Sequence, residues 1–200
     1  MKRTVLVTCF EPFGNETANA SQRAVALLPD ETAECRIFKI TLPVVFGEAG
    51  KSAAEATFRC GADAILCVGE AKGRANVTPE MIAVNLRYAS IPDNAGNVPR
   101  DEPVVSGGRE AYFSTAPIRR IAEAVNALGI PCGASYSAGT YVCNDLYYTL
   151  LDRFAGSGIP VAFMHVPALP EWGLPSLESE KAAKAVAAAV ETIIKDLNGE

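Results

Sequence analysis

The sequence predicts an α/β fold, a single-domain three-layer α/β/α sandwich around a mostly parallel, twisted sheet. Three observations predict it. Short β-rich apolar runs alternate with longer stretches of helical period along the 200 residues. Three of those runs, 4–10, 64–69 and 160–166, are apolar almost without interruption, as expected of strands covered on both faces. The last segment, from Glu178 to Leu197, repeats Ala182, Val186, Val190, Ile193 and Leu197 at helical spacing, a stripe suited to packing on a sheet.

Taken in order, residues 4–10 (TVLVTCF) read as the first buried strand. Residues 19–28 read as a helix, with Asn19 or Ser21 able to cap it. A second strand spans 34–42, an Ala-rich helix 46–60, and a third strand 64–69 (AILCVG). Between 70 and 116 the prolines at 79, 92, 99 and 103 and several glycines predict loops, with one short element near 80–91. Pro117 then opens a helix over 117–128 at the favoured first position. Residues 130–136 resemble a strand, 143–155 a helix and 160–166 (PVAFMHV) a strand. In the last helix Ser176 is positioned to cap the start.

Composition excludes more than it identifies. A hydrophobic content of 49% suits one compact core, and no repeat, linker or low-complexity tract divides the chain, so one domain over 1–200 is expected. The net charge of -5 is scattered, with no basic cluster, which argues against nucleic-acid or anionic-membrane partners. The opening MKRTVLVTCF meets Glu11 and Pro12 too soon for a signal peptide, and no run approaches the roughly twenty apolar residues of a membrane span. A cytoplasmic protein is expected. Of six cysteines none forms a CxxC pair, and His165 is the single histidine, so neither a zinc site nor a disulfide framework is expected. Any cysteine chemistry then centres on a free thiol.

Ligands of open α/β sheets bind beyond the carboxyl ends of the strands. The segments there are Phe10–Gly14, Gly69–Arg74, Ser137–Cys143 and His165–Pro167. Cys143 follows a small-residue turn and opens a helix, where the dipole and free N–H groups favour a thiolate and suit an oxyanion. For an arbitrary cysteine, a buried core thiol is the commoner reading. His165 lies on the same rim and is the one imidazole able to move a proton; alone it would equally be a half-buried strand-end histidine. Glu80 could orient that imidazole, although it is one of 23 acidic residues and a solvated surface glutamate is the ordinary reading. Phe10 and Phe13 suit the clamping of a flat ring, or simply the packing of their loop. No GxGxxG or GxxxxGK[ST] sequence marks a phosphate loop.

These loops resemble the pyroglutamyl peptidase type I (pyrrolidone-carboxylate peptidase) family of cysteine peptidases over nearly the whole chain, from Thr8-Cys9-Phe10-Glu11-Pro12-Phe13-Gly14 to His165-Val166-Pro167. The most specific block is Ser135 to Asn144 (SYSAGTYVCN), which resembles the family's nucleophile signature. Val77-Thr78-Pro79-Glu80, leading to Ala83-Val84-Asn85, is similar to its glutamate signature, and Ile91-Pro92-Asp93-Asn94 is a third match. The resemblance implies a triad of Glu80, Cys143 and His165, a pyroglutamyl pocket lined by Phe10 and Phe13, and Asp93 as site support. It implies peptides with N-terminal pyroglutamate as substrates, a homotetramer, and no metal or organic cofactor. The chain departs from the family at Glu70 and Lys72, where glutamine and glycine are usual, and at Asn15, Met81 and Ala134. Glu70 is therefore a candidate substrate-binding residue whose effect depends on whether its carboxylate or its backbone meets the lactam. Two other readings use the same residues differently: a cysteine amidase for a non-lactam substrate, and a binding module with an inert Cys143.

Overall fold

A computed structural model describes residues 2–173 and 175–200. Its main sheet has five strands in the order β2-β1-β3-β7-β4. β1 (Arg3–Phe10), β2 (Cys35–Leu42), β3 (Ala64–Glu70) and β7 (Val161–Val166) run parallel, and the two-residue β4 (Thr78–Pro79) closes one edge antiparallel to β7. A separate ribbon pairs β5 (Ile82–Val84) with β6 (Ala111–Phe113).

Alternation along each strand sorts side chains into two cores. Val5, Val7, Leu66, Val68, Ala162 and Met164 face one layer, formed with α1 (Ala20–Ala26), α3 (Ile118–Ala127) and α5 (Ser179–Leu197). Leu6, Phe10, Ile65, Cys67, Val161 and Phe163 face the other, formed with α2 (Glu48–Cys60) and α4 (Val142–Arg153). The same parity places Gly69 and His165 on the α4 side and Glu70 on the α1 side. That division decides what each can touch.

The expected three layers and mostly parallel sheet are present, and several local expectations are corrected. The 70–116 segment holds three short strands rather than one element. Residues 130–136 form no strand; they run beside 77–81 through isolated bridges at Val77–Cys132 and Glu80–Ser135. Val77 N donates to Pro131 O and Ser135 N to Pro79 O, but Pro79 has no N–H for the bond between them, so the ladder breaks at its centre. Pro117 is the residue preceding α3 rather than its first helical residue. Ser176 does not cap α5: Glu178 holds that position without a side-chain hydrogen bond, while Ser176 bridges Ala168. At α1 the cap is Asn19, whose side chain accepts from Ser21 N.

Candidate active site

Cys143 is the second residue of α4, and a buried polar frame holds that helix end. Asn144, fully buried, accepts from Val84 N at 2.9 Å and donates to Val84 O and Leu86 O. Asp145, also buried, accepts from Gly47 N and pairs with Arg87. Two consecutive side chains thus tie the helix start to the 84–87 loop and to the entrance of α2. Cys143 itself is half-buried and opens onto a cavity of about 480 Å³ lined by Phe10, Phe13, Val44, Tyr141 and Val142 among others. Phe13 and Phe46 both meet Tyr141 edge-on, with ring centroids 5.6 and 5.1 Å away.

His165 stands beside the sulfur. A Cβ built on Gly69 would lie 3.1 Å from Cys143 Sγ and 3.2 Å from His165 Cδ2, so both atoms border the space that a glycine leaves. His165 Nδ1 is 2.7 Å from Glu80 Oε1, and both residues are buried. An ionised carboxylate is acceptor-only, so Nδ1 carries the proton and Nε2 keeps a lone pair. Glu80 is clamped by its backbone: its N–H donates to Phe163 O, and Tyr147 Oη donates to its carbonyl.

The electrostatics correct one expectation. Burial pushes the Cys143 thiol up to about 12, reinforced by the Glu80 carboxylate and Cys67 and opposed by the Arg74 charge. A helix N-terminus is worth roughly 0.3–1 kcal/mol, under one pKa unit, and does not outweigh the cost of a buried anion. The direction of that shift favours the neutral thiol at rest. Burial also holds His165 below the ordinary imidazole range, against the raising effect of Glu80, which favours a neutral imidazole. Burial raises Glu80 in turn, but bonds and charge from His165, Ser135 and Arg74 prevail and keep it below the usual carboxylate range.

Glu70 borders the cavity, but its Oε2 accepts from Ala20 N at 2.6 Å at the start of α1. By strand parity its side chain lies on the face of β3 opposite Cys143, toward α1. Lys72 pairs with Glu16 and lies over the Trp172 ring at the cavity's rim. Asp93 does not line the cavity. It accepts from Phe46 N, Ala95 N and Asn97 N, fixing the loop whose Phe46 backs Tyr141. Residue-type reasoning missed Gly69, Tyr141, Asn144 and Arg74. Tyr141 and Asn144 lay inside the nucleophile block, and Gly69 and Arg74 inside a rim loop, so position was a signal even where residue type was not.

A neutral cysteine–imidazole pair backed by a buried carboxylate, at the carboxyl end of a parallel sheet, defines a cysteine-type hydrolase on an α/β scaffold. Residues 3–196 match the family model for pyroglutamyl peptidase. The pyrrolidone-carboxylate peptidase of Enterococcus faecalis is 45% identical over 84% of this chain and 79% of its own length. That of Thermococcus onnurineus is 40% identical over 96% of both. The crystal structure of pyroglutamyl peptidase I from Bacillus amyloliquefaciens superposes with a TM-score of 0.93 at 40% identity, covering 97% of this chain and 96% of that one. The chain belongs to the pyroglutamyl peptidase family of cysteine peptidases.

Proposed function

We propose that the chain hydrolyses the amide bond after an N-terminal pyroglutamyl residue, using Cys143 as nucleophile, His165 as base and acid, and Glu80 as the group that orients the imidazole. The observation that carries this reading is a cavity of about 480 Å³ whose lining brings Phe10, Phe13 and Tyr141 together with Cys143. A small planar lactam suits such walls, since aromatic faces bury area at low entropic cost. The end of β3 borders the same cavity at Glu70.

Both reacting groups rest neutral, so attack and proton transfer occur together. Cys143 Sγ bonds to the scissile carbonyl carbon while its proton passes to His165 Nε2. Negative charge on the carbonyl oxygen develops where first-turn N–H groups of α4 lack helical acceptors. His165 then returns the proton to the leaving amine as the C–N bond breaks, giving a thioester. A water, deprotonated by His165, attacks that thioester and releases pyroglutamate and the thiol.

Release of a fluorescent amine from its pyroglutamyl amide, beside the prolyl and glutamyl amides, tests the reading. Turnover of the pyroglutamyl compound alone, lost by about a thousandfold or more in Cys143→Ala with the fold intact, is expected. Equal turnover of all three amides would favour the non-lactam amidase, and activity retained by Cys143→Ala would overturn the mechanism. We further propose that residues 1–200 act as one catalytic domain, assembled as a homotetramer in the cytoplasm. The support is family membership.

A further inference from the structure

The carboxylate of Glu80 is served unevenly. Oε1 meets both His165 Nδ1, at 2.7 Å, and Arg74 Nη1, at 2.6 Å, while the buried Oε2 has no hydrogen-bond partner among the described residues. The Arg74 guanidinium goes further: Nη1 donates to Thr78 Oγ1 at 2.6 Å, and Nη2 to Ser137 O at 3.0 Å. Thr78 begins the short strand that leads to Glu80, and Ser137 lies in the turn that leads to Cys143. One side chain therefore spans three parts of the site, and it does not line the substrate cavity.

We propose that Arg74 is a positioning residue for catalysis: its guanidinium fork fixes the Glu80 carboxylate against His165 and ties that pair to the turn that carries Cys143. This rests on the reading of Cys143, His165 and Glu80 as a triad. Its physical basis is the isolation of Glu80. Keeping a fully buried carboxylate ionised is costly, and the Arg74 cation on Oε1 offsets part of that cost. An orphaned Oε2 also leaves the carboxylate free to rotate unless something other than His165 holds Oε1. Arg74 supplies both the charge and the direction, and a planar fork does so where a point charge would supply only the first.

Besides burial, Glu80 after β4 and Arg74 in the β3–β4 loop set the titration of His165, and the same two together with Cys67 on β3 act on Cys143. The Arg74 charge opposes protonation of His165, so its removal raises the pH at which the imidazole loses its proton.

The test is Arg74→Gln and Arg74→Lys, assayed on the fluorogenic pyroglutamyl amide across pH. In parallel, iodoacetamide labelling of Cys143 is followed by peptide mass spectrometry. For Arg74→Gln, kcat is expected to fall about 10–100-fold with KM within about threefold, since misplacement by an ångström costs about that much. The acid limbs of turnover and of labelling are expected to move up by about half to one pH unit. Arg74→Lys keeps the charge, so its limb stays near wild type while kcat drops partway; this variant carries the test if Arg74→Gln does not fold. Wild-type kcat in Arg74→Gln overturns the proposal, and so does a fall in kcat with both limbs unmoved, which would mark damage to the fold. If the wild-type protein releases no amine, the activity reading fails, while the labelling limb still decides the role of Arg74.

Discussion

Gly69 shows how a residue with no side chain shapes chemistry. Its φ is ordinary, so the backbone does not demand glycine; the space does. An added Cβ would lie 2.9 Å from Phe163 Cζ, 3.1 Å from Cys143 Sγ and 3.2 Å from His165 Cδ2. Phe163 is packed in the α2/α4 core and cannot yield, so the sulfur and the imidazole must. Gly69→Ala is expected to lower kcat by about 100-fold, at a stability cost of about 1–3 kcal/mol. Turnover together with thermal unfolding checks this, and wild-type kcat would show that the pair tolerates displacement. Cys143, His165 and Glu80 were legible as candidates because chemistry restricts the residue types able to move a proton or attack a carbonyl. Gly69 and Arg74 were not, because glycine and arginine are common and their roles exist only in three dimensions.

Among the elements, the strands and helices that carry an unbroken apolar pattern were legible to within a residue or two at most ends. β1 and β3 are covered on both faces, and α5 shows one stripe, so local pattern and tertiary burial agree there. The 130–136 segment failed because its extended backbone was visible in the pattern but the missing donor of Pro79, fifty residues earlier, was not. Glu70 at the end of β3 is likewise an element-scale residue: its carboxylate accepts from Ala20 N in the first turn of α1 rather than facing the sulfur. Burial, and then the nearby Glu171 charge, raise its pKa, against the lowering effect of Ala20 N–H. A carboxyl whose folded pKa is raised binds its proton more tightly in the folded state, so it disfavours folding above that pKa and ceases to do so below it. Glu70→Gln keeps an acceptor for Ala20 N–H and removes the buried charge. It is expected to raise Tm by a few degrees at pH 7–8, with the gain fading in mild acid, and to leave KM for the pyroglutamyl amide within about threefold. A large rise in KM would instead place the carboxylate on the lactam.

Across the whole molecule, the layered fold was legible because two cores sharing one sheet leave a periodic trace in sequence, whereas the region from 85 to 110 left almost none. That region is held by isolated backbone bonds, such as the reciprocal pair between Arg87 and Glu102, and by side chains bonding to backbone: Asn85 to Val105, Asn94 to Pro12, and Asp93 to Phe46, Ala95 and Asn97. Such bonds carry no period, so proline and glycine content correctly marked loops without showing that the loops are tied to the site. Bonds of this kind in loops at the surface open without the sheet opening. Hydrogen exchange is therefore expected to divide the molecule. Amides of β1, β3 and β7, buried between the two cores, exchange only with global unfolding. Those between 85 and 110 exchange orders of magnitude faster, and a pyroglutamyl inhibitor in the cavity slows the Phe10–Glu16 and Tyr141–Cys143 amides without reaching β1's start. If 85–110 were protected as strongly as β3, the loops would belong to the cooperative core. The side-chain ties of Asp93 and Asn85 would then count as part of the global stability rather than as local fastenings around the site.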